Sequence, residues 1–164
     1  KNRDDYVNKD KDAPWYYEQT YLGFNYRMSD LQASLGLSQI RRLDEFVSKR
    51  NLLANRYDEY INFKSNRPLS INKGNISSRH IYVIYVSEDI HRSVFEDLRE
   101  YGIGVNLHYI PVHLQPFYQS QGFKKGDYPF AELHAKKAIS LPIYPNLNFQ
   151  EQDYIIEVLN KITK

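Results

Sequence analysis

The stretch Gly23-Phe24-Asn25-Tyr26-Arg27-Met28-Ser29-Asp30-Leu31-Gln32-Ala33 reads as a loop delivering a helix. Ser29 is a good N-cap, and Gln32 three residues on completes a capping box. Gly23 permits a sharp turn just before. Asn25, Tyr26 and Arg27 therefore project from a short segment anchored on a helix N-terminus, a position suited to ligand contact.

Working downstream, the apolar pattern turns helical from Asp30. Leu31, Leu35, Phe46, Leu53, Tyr57 and Tyr60 mark one face, widened by Leu37, Ile40, Leu43, Val47 and Ile61. No Pro interrupts before Pro68, so one long helix over 30–61 is expected, about 45 Å at ~1.5 Å per residue. A helix that long bridges two bodies or kinks. Gly36 costs it roughly 1 kcal/mol and is expected at a close backbone approach. Residues 62–75, with Pro68, Gly74 and four Asn, read as a connector.

A strand is expected over 76–86, from Ile-Tyr-Val-Ile-Tyr-Val, then a helix over 90–101 closed by Gly102. A second strand is expected over 103–107 and a Pro-containing loop over 108–121 with a short helix near Phe117. A helix over 128–138 starts with Pro129 in its first turn, where Pro is tolerated. A third strand spans 139–143, and a last helix over 149–162 is capped by Asn148. Upstream, 1–12 is charged and unpatterned, and Trp15, Tyr16, Tyr17 and Tyr21 form an aromatic lead-in. Three short strands among helices make an α/β or α+β layer. The organisation is 1–29 as loop and lead-in, 30–61 as connecting helix, and 62–164 as a small domain.

A chain of 164 residues can bury one sizeable core. With 22 basic and 20 acidic residues the net charge is +2, too balanced to point to nucleic acid or a membrane surface. The lack of cysteine removes disulfides and thiolate zinc sites and fits a reducing, cytoplasmic setting. Tyr is abundant, 15 residues, which suits half-buried interfaces and polar pockets or reflects composition bias alone.

Neither a Walker nor a dinucleotide loop occurs, and there is no nucleophile elbow. The polar constellation is Asn106, His108, Tyr109, His113 and Gln115, in one loop after a strand. His108 and His113 lack metal spacing and an acidic neighbour within the loop, so no metal is expected. The pair His108–Tyr109 suits acid/base work or ligand hydrogen bonding, or else satisfies backbone groups in a tight loop.

Several ordered motifs carry a resemblance: residues 23–33; Leu37, Gln39, Leu43 and Asp44 running to Lys49-Arg50; His80-Ile81-Tyr82-Val83-Ile84; Gly102-Ile103 with His108-Tyr109, Pro111 and His113; and Leu141-Pro142-Ile143-Tyr144-Pro145. From about Trp15 on, the chain resembles the C-terminal part of DegT/StrS-type sugar aminotransferases. That implies a fold type I enzyme using pyridoxal 5'-phosphate (PLP), with a long connecting helix and a small, mostly antiparallel sheet covered by helices. The family moves an amino group, usually from glutamate, to a nucleotide-linked keto sugar in surface-glycan biosynthesis.

By the same resemblance, Asn25 matches an Asn that reaches the cofactor phosphate of the neighbouring subunit in a homodimer, and Tyr26 and Arg27 adjoin it. His108 and Tyr109 match a His-Tyr at the substrate rim, while His113 and Arg79 are expected near substrate. The family's cofactor-linking Lys lies upstream of the Gly23 stretch. Lys9 and Lys11 lie downstream of where it belongs, so no catalytic residue is expected here and the chain alone is expected to be inactive. The alternative is a non-catalytic dimerisation or nucleotide-sugar-binding module.

Overall fold

The structure, a computed structural model, describes residues 23–24, 26–62, 71–72 and 74–164. Expectations for 1–22, for Asn25 and for most of the connector at 63–70 lie outside the described residues. The chain divides into two units, 1–40 and 41–164.

In the first unit, helix α1 (Asp30–Ile40) begins at the expected cap. Ser29 Oγ accepts from the Gln32 amide at 3.3 Å, and Gln32 Oε1 accepts from the Ser29 amide at 3.0 Å. Its apolar side chains Leu31, Leu35 and Ile40 are exposed. A Cβ added at Gly36 would meet nothing within 4 Å, so the expected close approach is absent among the described residues.

The expected single helix ends at a turn over Arg41 and Arg42, and α2 (Leu43–Tyr60) starts afresh. Arg42 sits outside helical geometry at φ −105°, ψ 6°. Asp44 and Glu45 then occupy the new first turn, where a helix N-terminus favours negative charge. Glu45 pairs with Lys49 one turn on, at 2.7 Å.

In the second unit, α2 buries Leu53, Ala54 and Tyr57, an i, i+4 stripe with its flank. Helix α3 (His91–Glu100) buries Val94 and Leu98 at the same spacing. It closes as expected at Gly102, φ 75°: the Gly102 amide donates to Arg99 O and the Ile103 amide to Leu98 O, both at 2.9 Å. This 6→1, 5→2 pair is a Schellman motif, and a left-handed residue there suits glycine. Two short helices follow, α4 (Pro116–Ser120) and α5 (Pro129–Ala135), both opening on Pro at the first turn. Helix α6 (Phe149–Ile162) carries the expected Asn148 cap, with Glu151 closing a capping box.

Strand β1 (Tyr82–Tyr85) pairs antiparallel with β2 (Ala138–Leu141), in the register Tyr82↔Leu141 and Ile84↔Ile139. Directly opposed residues share a face. Tyr82, Ile84, Ile139 and Leu141 form one face and join the core with Leu53, Tyr57, Val94, Leu98, Ile155 and Leu159. The other face carries Val83, Tyr85, Ala138 and Ser140.

The second expected strand shrinks to one bridge, Asn106↔Ser140, on the far edge of β2. Two local bonds explain this. The Val105 amide turns back to Ile103 O at 3.0 Å, and Asn106 Oδ1 takes the Leu107 amide at 2.8 Å, removing both from a ladder. The first strand is shorter than 76–86 because its approach is tied elsewhere. Asn51 Nδ2 donates to Ser77 O at 2.8 Å, and Arg79 adopts a left-handed φ of 47°.

Buried polar groups sew the helices to the sheet. Tyr57 OH donates to Pro142 O at 2.9 Å, and Tyr82 OH to Asp58 at 2.6 Å. Burial pushes both phenols well above their ordinary range, and the Asp58 carboxylate adds to this at Tyr82. Fully buried Gln152 donates to Leu53 O at 2.7 Å and accepts from Arg56 Nε at 3.0 Å, joining α6 to α2.

Candidate functional site

The loop from Asn106 to Gln115 crosses the non-core face of the sheet. Asn106 starts it with reciprocal bonds to Ser140, 2.8 and 3.3 Å. His108 Nδ1 lies 2.8 Å from Ser140 Oγ, so β2 holds this loop by backbone and side chain at one residue. The His108–Tyr109 peptide is cis. The two rings meet edge-on, centroids 4.7 Å apart at 87°. His108 is half-buried, whereas Tyr109 is 70% exposed. The loop thus presents an accessible phenol from a base that is tied down.

Two groups absent from the sequence reading complete that base. His134, on α5, places Nε2 3.2 Å from His108 O and Nδ1 2.8 Å from Tyr85 OH. Tyr85 and Ser140 share the non-core face. Neither is at a motif spacing from His108, and the sheet register alone brings them together.

His113 is brought into the same segment but is buried, 7% exposed. Its Nε2 lies 2.9 Å from Glu132 Oε1, which also accepts the Gly126 amide at 2.6 Å. The loop lacks an acid, as expected from the sequence, and α5 supplies one from 19 residues away. Ionised Glu132 only accepts, so His113 Nε2 carries a proton. The His113 ring packs on Tyr128 at 4.9 Å. Beside it lies a cavity of about 390 Å³ walled by Pro111, His113, Tyr118, Phe123 and Tyr128. Among the described residues no cluster of His, Asp and Glu could hold a metal ion.

The His113 hydrogen bond, followed by the Gly126 amide, holds the Glu132 carboxyl below its ordinary value of 4.5. A depressed carboxylate stabilises the fold above its unfolded pKa, and that contribution fades as pH falls through the folded value. Glu132→Gln should therefore melt below the parent protein at neutral pH. The gap in Tm should narrow as pH falls below 4.5 and through the lowered value of the folded carboxyl. Thermal melts of both proteins across that range check this, and parallel curves with a constant gap would refute it.

Arg79 lies at the other end of β1. It faces Asp58 at 3.9 Å, and its buried Nε has no hydrogen-bond partner among the described residues. The structure joins it to α2 by that ion pair. In the first unit, Tyr26 is 92% exposed and stacks on Phe24 at 5.7 Å, and Arg27 is exposed. A phenol and a guanidinium ahead of a helix N-terminus fit a phosphate group.

The second unit is thus an antiparallel sheet with helices on its core face and a polar loop on the other. The chain belongs to the DegT/DnrJ/EryC1/StrS aminotransferase family, whose profile matches residues 6–160. It is 37% identical over 157 residues to the spore coat polysaccharide biosynthesis protein SpsC of Bacillus subtilis, covering 92% of this chain and 40% of that one. It is 31% identical over 162 residues to the UDP-4-amino-4,6-dideoxy-N-acetyl-beta-L-altrosamine transaminase of Campylobacter jejuni, covering 92% and 42%. Among solved structures it matches Spr1654 of Streptococcus pneumoniae, assigned as a sugar aminotransferase, in its PLP form. The TM-score there is 0.81 at 31% identity, over 91% of this chain and 39% of that one. The chain thus spans about two-fifths of the length of these relatives. No helix among the described residues is long and apolar enough to cross a membrane.

Proposed function

We propose that the protein carrying this chain is a PLP-dependent aminotransferase. In this reading it moves an amino group from glutamate to a UDP-linked 4-keto-6-deoxy amino sugar for a surface glycan, and works as a cytoplasmic homodimer. Family membership supports the reaction class. The observation that carries the local reading is Tyr109, an exposed phenol on a loop fixed from beneath by Ser140 and His134.

PLP, when bound, supplies the electron sink that lets an amino group leave one carbon and join another. Asn25, Tyr26 and Arg27 would hold its phosphate as neutral and cationic donors. His108 and Tyr109 would orient the sugar nucleotide by hydrogen bonds, and the preset loop lowers the ordering cost of binding. His113 contributes indirectly: its bond to Glu132 holds α5 and the Pro111 turn, which shape the rim. Arg79 enters the proposal through the resemblance alone, since its guanidinium faces Asp58.

The test is transfer of label. The intact protein with PLP, glutamate labelled with ¹⁵N and the keto sugar nucleotide should give a labelled amino sugar, detected by mass spectrometry. No transfer to any nucleotide-linked keto sugar would overturn the reading. His108→Ala and Tyr109→Phe should each weaken sugar-nucleotide turnover about five- to over one-hundred-fold, from hydrogen bonds of ~1–3 kcal/mol, with normal melting. Unchanged kinetics for both would leave these residues only a role in the loop.

A further inference from the structure

We infer that His134 is a positioning residue whose Nε2–H holds the His108 carbonyl and thereby aims the His108–Tyr109 pair, with Tyr85 selecting the tautomer that makes this possible. The functional consequence rests on the reading of His108 and Tyr109 as a substrate rim.

The polarity of the network follows from its atoms. The His108 carbonyl oxygen can only accept, so the proton in that 3.2 Å contact sits on His134 Nε2. A neutral imidazole then has a lone pair at Nδ1, and Tyr85 OH, 2.8 Å away, donates to it. Tyr85 thus favours the Nε2–H form, as a second hydrogen bond commonly sets the tautomer of a histidine. The ring also meets Tyr85 edge-on, at 5.5 Å and 78°, so packing restrains it as well.

The consequence concerns the loop. Ser140 holds the His108 imidazole at 2.8 Å, and His134 holds the carbonyl of the same residue. One contact fixes the ring and the other fixes the peptide plane leading into Tyr109. Tyr109 carries no hydrogen bond from its own hydroxyl to the described residues and is 70% exposed, so its direction depends on that plane. The three anchors come from β1, β2 and α5. The rim is therefore set by the junction of sheet and helix rather than by the loop's own sequence.

The experiment uses the intact protein with three substitutions. His134→Leu removes both hydrogen bonds at similar size. His134→Gln keeps an N–H donor toward His108 O. Tyr85→Phe removes only the hydroxyl and guards against a folding failure of the leucine variant. A net hydrogen bond of this kind corresponds to about a two- to tenfold effect. KM for the sugar nucleotide should rise by that factor in His134→Leu and Tyr85→Phe, kcat should change less, and His134→Gln should recover most of the loss. Independently, ¹⁵N spectra of the histidine rings should show His134 protonated at Nε2 and bare at Nδ1. His108 ring signals should shift in His134→Leu.

An Nδ1–H tautomer at His134, or unmoved His108 signals in His134→Leu, would overturn the inference. So would unchanged KM in His134→Leu where His108→Ala raises it. If neither changes KM but the ring signals behave as stated, the positioning stands and it is the substrate-rim reading that falls.

Discussion

Leu98→Ala should lower stability by about 2–5 kcal/mol, seen as a fall in Tm of about 4–20 °C for a chain of this size. Leu98 is fully buried on α3, within the cluster that includes Tyr82, Ile84, Ile139 and Leu159. It also supplies the carbonyl that receives the Ile103 amide in the helix-closing motif. Truncation keeps that backbone bond but removes the side chain that joins the helix end to the sheet, and a densely packed neighbourhood collapses only partly into the space. The loss goes beyond the methyl groups removed, because Ile103, just past Gly102, packs in the same cluster and helps the chain leave the helix in the right direction. Leu52→Ala is the control. Leu52 lies on α2 but is 51% exposed, and its truncation should stay within about 0.5 kcal/mol. Melting curves of the two variants decide it, and equal losses would mean that α3 is not the keystone of this core.

The elements that were legible in the sequence are those whose signals are local. Asn148 with Glu151 three residues on, Gly102 after an amphipathic turn, and Pro129 at a helix start each state a boundary through their own backbone chemistry. The strand expected over 139–143 was likewise visible as an apolar run, and the structure starts it at Ala138 and ends it at Leu141, before Pro142. The length of the run pointed to a kink or a bridge, but its place at Arg41–Arg42 was not visible, since neither Gly nor Pro marks it and the apolar pattern runs through. The strand expected at 103–107 failed for a related reason. Its residues favour a strand, but Asn106 spends its side chain on the next amide, a choice that propensity does not register.

The candidate site divides the same way. His108 and Tyr109 stood out as polar residues beside a proline. Ser140 and Tyr85 stood only as residues of expected strands, and His134 only as a residue of the helix expected over 128–138. What makes them a unit is the antiparallel register that sets Val83 opposite Ser140 and Tyr85 opposite Ala138, with α5 laid beside them. Glu132 was hidden for the same reason: its partner, His113, is 19 residues away across α4 and a turn. Distances of this kind are products of topology, and no spacing rule within one segment yields them.

The largest functional effect should appear when lesions are placed in different subunits. Asn25 lies outside the described residues, and the argument for it is chemical. It sits four positions before the Ser29 cap, between Phe24 and Tyr26, a place where an amide donor suits a phosphate. We propose that Asn25 of one subunit and the cofactor-linking Lys of the other serve the same active site. Asn25→Asp replaces an amide donor with a carboxylate beside a phosphate, and like charges repel strongly at close range. A homodimer of that variant should be weak or inactive, and so should a homodimer lacking the Lys. A mixed dimer gathers both lesions into one site and leaves the other with an intact Lys and an intact Asn25. Activity should therefore return on mixing two silent proteins, toward one competent site per mixed dimer. Subunit exchange is followed by native mass spectrometry in the same samples. Exchange without recovery would mean that Asn25 acts within its own chain or serves only to hold its loop.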